Sequence, residues 1–184
     1  MTTSFIVAVR NTGVAICVLT SVPSASPEQP IAASTLKAAF TLNFAKFTEW
    51  PALPSGAPLN LCVVGDEGIA ATLTETARGQ NIGGHTLAVS RPRDSGSWLT
   101  CHVLFIAESE TPRSAAGLAG IKAQPVLTIS DAKGFAQAGG IIELYVEAGR
   151  MRFAINGDAA ERAGLRLSSR LLGLAKVVRS ERVQ

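Results

Sequence analysis

The chain has 184 residues, 47% of them hydrophobic and only 17% charged. That length supports one domain with a full core, and the composition excludes a disordered tail. The formal net charge is +3, the basic residues are scattered, and no patch interleaves them with aromatics, which argues against nucleic acid as a partner.

The first segment reads as an export signal. Met1 to Arg10 carries one positive charge and no acid, Gly13 to Leu19 is apolar, and Ser21 to Pro27 is small and turn-prone, with Ala25 as the residue before cleavage. The apolar run is too short to span a bilayer, which takes about 20 residues. A lipoprotein signal at Cys17 fits less well, because the bulky Ile16 precedes it. Residues 1–25 are therefore expected to be a signal peptide, 26–34 a leader and 35–180 one folded domain. A chain exported and cleaved there keeps two cysteines, Cys62 and Cys101. An even number in an oxidising compartment invites a disulfide; two buried free thiols are the alternative.

Ile31 to Trp50 has a helical pattern. Leu36, Phe40, Phe44, Phe47 and Trp50 recur at three- and four-residue steps, a stripe expected to pack inward, with Ser34 as cap and Pro51 as terminator. Leu59 to Val64 reads as a strand, followed by a helix to Arg78 that Asp66 caps. His85 to Ser90 alternates as a second strand, and Cys101 to Ala107 is a third, apolar enough to be buried on both faces. Thr111 to Ile121 is helical, with Thr111 as cap and Pro112 in the first turn. Pro125 to Ile129 is a fourth strand. Ile141 to Val146 and Arg150 to Ile155 form a hairpin, and Asp158 to Arg166, with Asp158 as its candidate cap, and Ser169 to Val178 read as helices. The alternation predicts a single three-layer α/β domain with a mostly parallel central sheet, a C-terminal β-hairpin and flanking helices.

No catalytic motif survives inspection. Ser34-Thr35-Leu36-Lys37 has the spacing of a serine–lysine pair, and Ser130-Asp131 resembles a second element of penicillin-recognising enzymes, but the Lys-Thr-Gly element is absent. Gly65-Asp66-Glu67-Gly68 stands where a phosphate loop would, without its glycine spacing or lysine. Cys62, Cys101 and His102 are too few and too irregularly spaced for a zinc site, and His102 has no nucleophile in recognisable relation to it. A redox dithiol would sit close in sequence at a helix N-terminus. Cys62 and Cys101 instead each begin a predicted strand. If those strands are parallel neighbours, equivalent positions face one another at about 5 Å, within disulfide reach. The arginines Arg152, Arg166 and Arg170 form a candidate ligand or partner set. The last two are four apart and present together if the helix runs through them; ordinary surface charge is the competing reading.

The ordered blocks carry a resemblance. They are Lys37 to Pro51 (KAAFTLNFAKFTEWP), Leu61 to Asp66 (LCVVGD), Cys101 to Ile106 (CHVLFI), Ser109-Glu110, and Pro125 to Asp131 (PVLTISD). Gly134-Phe135-Ala136, Gly139 to Ile142 (GGII), Arg152 to Asn156 (RFAIN) and Ser168 to Leu172 (SSRLL) complete the set. In this order, from about Leu36 to Val178, the chain resembles the YfiR family of periplasmic repressors. The resemblance implies a dimeric, non-catalytic α/β domain without cofactor or metal. Such a domain binds the sensor domain of an inner-membrane diguanylate cyclase (YfiN-like) and holds it inactive, lowering cyclic-di-GMP signalling and biofilm formation. It is itself sequestered by an OmpA-like outer-membrane lipoprotein (YfiB-like). It also implies that Cys62 and Cys101 are the family's disulfide pair and that Arg166 lies near a small-ligand region. A second cysteine pair that some members carry near the Gly-Gly segment is missing. A periplasmic small-molecule binding domain and a small thiol oxidoreductase are the alternative functions.

Overall fold

The computed structural model describes residues 29–50 and 53–180. The expected signal peptide, the first part of the leader and Pro51 lie outside the described residues. Helix α1 (Gln29–Lys46) opens the fold. It carries the predicted stripe only in part: Leu36 is exposed, and on the helix the inward face runs from Phe40 to Phe44. Phe44 is fully buried, and its ring meets Phe40 at 5.8 Å and Phe153 at 5.0 Å. Edge-to-face aromatic packing of this kind adds to the burial itself.

The helix stops four residues short of Trp50, because the next residues pair elsewhere. Strand β1 (Thr48–Glu49) lies antiparallel to β9 (Arg166–Leu167), and the Ser168 N–H donates to the Phe47 carbonyl at 2.9 Å. Backbone groups that would have extended the helix are used by a segment more than a hundred residues away. Ser34 is inside α1, not at its cap. It marks the close approach to the next helix, since a Cβ on Gly68 would lie 2.8 Å from its hydroxyl.

Six strands follow the sequence pattern: β2 (Leu59–Val64), β4 (His85–Ser90), β5 (Val103–Ile106), β6 (Leu127–Ser130), β7 (Ile142–Glu147) and β8 (Arg150–Asn156); β3 (Asn81–Ile82) and β10 (Lys176–Val178) add to them. Among the described residues they form one eight-stranded sheet in the order β10-β8-β7-β6-β5-β2-β4-β3, parallel except for the β7–β8 and β3–β4 pairs. The β7–β8 hairpin turns on Ala148 and Gly149, both at positive φ, the two-residue turn whose twist matches the strands.

Between β2 and β4 runs α2 (Glu67–Ala77), capped by Asp66, whose carboxylate accepts from the Ile69 N–H at 2.8 Å. On one side of the sheet, α1 and α2 cover Leu61, Phe105, Ile129, Leu144 and Phe153. On the other, Trp98 from a 3-10 helix (Ser95–Thr100) and residues of and after α3 (Thr111–Ile121) cover Cys62, Leu104 and Ile106. The result is a single α/β domain of three layers.

Three C-terminal expectations change. The residue capping α3 is Glu110, one before Thr111, and its side chain makes no cap bond. The cap of α4 (Gly157–Arg162) is Asn156 rather than Asp158: its fully buried amide accepts from Ala159 and donates to the Ala136 carbonyl at 2.7 Å. That helix ends at Gly164, whose positive φ closes the turn. The last predicted helix is only α5 (Ser169–Leu174), capped by Ser168, and residues 176–178 form the edge strand β10 instead. Lys176 and Val177 lie level with Ala154 and Ile155; an open sheet edge takes up residues that local pattern assigns to a helix.

Candidate interaction surface

Cys62 and Cys101 are joined in a disulfide with their Cα atoms 5.9 Å apart. Cys62 lies within β2 and Cys101 just before β5; the two strands are parallel neighbours, as expected, but the two residues are not opposite one another. Leu104 is level with Cys62. Cys101 precedes β5 as the C-cap of the 3-10 helix, its N–H donating to the Trp98 carbonyl. The bond therefore ties β2 to the turn that carries Trp98. Both cysteines are buried, which closes the bond to an attacking thiolate, and the free thiolates that a metal would require are consumed.

His102, next to the bridge, is committed to structure. Its Nδ1 accepts from the Asn60 N–H at 2.9 Å, its carbonyl accepts from the Trp50 indole at 3.2 Å, and its ring meets Trp50 edge-on at 6.5 Å. Burial, with the charge of His85 adding to it, lowers its pKa. A neutral ring with an acceptor Nδ1 is what the Asn60 bond demands.

The three arginines are exposed and stand on three different elements. Arg152 is on β8, cross-strand from Tyr145; Arg166 is on β9, opposite Glu49; Arg170 is in the first turn of α5. The expected helical pairing of Arg166 with Arg170 does not occur, because the chain between them is a strand followed by a cap at Ser168.

The face of the sheet turned away from α1 is covered unevenly. The side chains of Phe153 and Ile155 point to the α1 core, so Arg152 and Ala154 point the other way, together with Lys176 and Tyr145 by register. Among the described residues no helix covers this end. It forms an open hollow bordered by Tyr145, Ala154, Lys176 and Gln137, and the buried Oε1 of Gln137 has no hydrogen-bond partner among the described residues. At the same edge, Leu174 and Val177 are 72% and 62% exposed. Tyr145, Leu174, Lys176 and Val177 were not singled out in the sequence. The signal that finds them is the identity of β10 as an edge strand, and that depends on pairing.

Among the described residues no helix is long and apolar enough to cross a membrane, and no group of three or more metal-ligating side chains gathers. The described residues form a disulfide-tied α/β domain with an open sheet edge. A family model described as YfiR/HmsC-like matches residues 34–176, and this chain belongs to that family. Among solved structures, the chain is similar to the ABC domain in complex with L-Trp from Streptococcus pneumonia, at 11% identity over 65% of this chain, with a TM-score of 0.43. It spans 54% of that structure's length.

Proposed function

We infer that this chain is a non-enzymatic periplasmic regulator. It binds the periplasmic sensor domain of an inner-membrane diguanylate cyclase and holds the cyclase inactive, lowering cyclic-di-GMP and biofilm formation. The observation that carries the reading is membership of the YfiR/HmsC-like family across residues 34–176. The Cys62–Cys101 bridge supports it, since disulfides persist in an oxidising compartment, and so does the reading of residues 1–25 as an export signal.

Repression by binding requires differential affinity for the two states of the sensor. Moving a two-state equilibrium from almost all active to almost all inactive takes about 10⁴-fold tighter binding to the inactive form. The uncovered end of the sheet fits this role. It offers exposed Leu174 and Val177 to desolvate, an unpaired Gln137 oxygen, and the positive charges of Arg152 and Lys176. Arg166 and Arg170 extend the basic surface on the α1 side. The complementary patch on the sensor domain is acidic and apolar. The regulator itself works as a homodimer, and an OmpA-like outer-membrane lipoprotein competes for it.

Deleting the gene raises cellular cyclic-di-GMP, and the wild-type copy restores it. Restoration fails with Arg152→Glu/Lys176→Glu, which leaves folding intact because both side chains project into solvent. An unchanged cyclic-di-GMP level in the deletion strain overturns the function; full restoration by the charge-reversed variant overturns the surface.

A further inference from the structure

Helix α3 is anchored through Ser114, Gly117 and Ile121. Gly117 lies so close to Trp98 that a Cβ there would come within 2.5 Å of the indole, and Ser114, three residues earlier, is buried. A different side of the helix, with Ala115, Leu118, Ala119 and Lys122 at three- and four-residue steps, faces the segment 132–141 across a cavity of about 340 Å³.

The cavity exists because its walls are made of residues with little side chain. Ala115 and Ala119 form one wall and Ala138, Gly139 and Gly140 the other, with Val126 and Ile141 behind. Phe135 cannot swing away on the far side without losing its seat: a Cβ on Gly140 would lie 2.1 Å from its ring. Ala115, Ala119 and Ala138 are exposed, so the space is a cleft open to water rather than an interior void. It is roughly twice the ~150 Å³ engineered cavity that takes up benzene, and it falls within the ~300–1,000 Å³ range of small-molecule sites.

The interior polar atoms are already used. The Thr128 hydroxyl accepts from the Ile141 N–H at 3.0 Å, and the Thr111 hydroxyl is within 3.3 Å of the Ala107 carbonyl and of Ser130. Charge stands only at the mouth. Lys122 reaches it from the end of α3 and Lys133 from the opposite wall; both are exposed, and neither joins an ion pair among the described residues. The stem of Lys122 passes over Gly139, its Cε 3.9 Å from where a Cβ there would stand.

We propose that this cleft is a binding site for a small amphipathic carboxylate, with an apolar body of about two rings between α3 and the 132–141 segment and its carboxylate between Lys122 and Lys133. Ammonium groups act on a carboxylate as point charges and impose no fork geometry. The site adjoins the hollow at the sheet edge, with Lys133, Gly134 and Ala138 bordering both, but its existence does not depend on the regulatory reading.

The test is calorimetric titration of the oxidised, mature-length chain with 2-naphthoate and with its neutral analogue 2-naphthalenemethanol. Both bind saturably, and the carboxylate binds more tightly. Lys122→Gln/Lys133→Gln weakens 2-naphthoate by about tenfold, the scale of two partly solvated ion pairs, and leaves the alcohol unchanged. Ala119→Phe fills the cleft and abolishes both. Ala116→Phe, on the same helix but outside the cavity lining, leaves both intact and controls for damage to α3. Saturable binding absent up to millimolar concentration overturns the proposal. So does naphthoate binding that survives Ala119→Phe, or a change of oligomeric state with Ala119→Phe and no effect on naphthoate.

Discussion

The two sides of the sheet are built on different principles. The side under α1 and α2 is filled by volume. Phe40, Phe44 and Phe153 interlock, and Leu61, Phe105, Ile129 and Ile142 beneath the helices are entirely excluded from water. The other side has a smaller apolar cluster around Trp98, Leu104 and Ile106, and Cys62–Cys101 ties that cluster covalently to the strand beneath it. Beyond the cluster it leaves a hollow by α3 and an uncovered end at β8 and β10. One side holds itself together by close packing. The other can leave space and exposed edge because a covalent bond keeps its cover in place. Binding functions require surface that the fold has not already consumed, and most of that surface lies at the open edge and on the second side.

The comparison can be broken from either side. Phe44→Ala removes a fully buried ring from the packed side and is expected to cost about 3–5 kcal/mol, read as a lower urea midpoint at unchanged slope. Cys62→Ser removes a link closing 39 residues. It is expected to cost about 4 kcal/mol in the chain-entropy model and to lower the melting temperature by roughly 10 °C. The two differ in kind: reduction in denaturant followed by refolding under reductant abolishes the difference between wild type and Cys62→Ser but leaves that between wild type and Phe44→Ala. If the reduced, refolded wild type melts as the oxidised protein does, the staple does not hold the second side.

Gly117→Ala sharpens the comparison. Its Cβ collides with Trp98, and such overpacking costs about 1–3 kcal/mol; circular-dichroism melts should show the loss, with the near-ultraviolet tryptophan signal changing too. Ser168→Ala deletes the cap bond to the Leu171 N–H and is expected to cost about 1 kcal/mol by the same denaturation measurement.

The smallest effect is that of pH on His102. Its folded pKa lies below the ordinary imidazole value, so between the two values the unfolded chain binds more protons. Stability from this residue is complete above about pH 6.5, declines as the pH falls through that value, and declines no further below the folded pKa. Melting temperatures measured between about pH 8 and pH 5 should fall less steeply in His102→Asn than in the wild type; equal slopes would remove His102 from the account.

Local pattern and composition determined a great deal. The apolar runs at Leu59–Val64 and Cys101–Ala107, the Asp66 cap, the hairpin around Ala148-Gly149 and the inward aromatic stripe all depend on neighbours within a few residues, where side-chain periodicity and turn chemistry act. The α/β class follows from their alternation, and the order of the family blocks along the chain is itself a property of the sequence. Tertiary structure alone decided the rest. Thr48-Glu49 left the helix because Arg166-Leu167 offered strand pairing. Residues 176–178 became strand because the β8 edge was open, and Cys101 reached Cys62 from a preceding turn rather than from across the ladder. Asn156 displaced Asp158 as a cap because it also satisfies the buried carbonyl of Ala136. In each case the deciding hydrogen bond or contact comes from a segment remote in sequence, where periodicity carries no information. The open edge and the hollow beside α3 are products of those remote pairings.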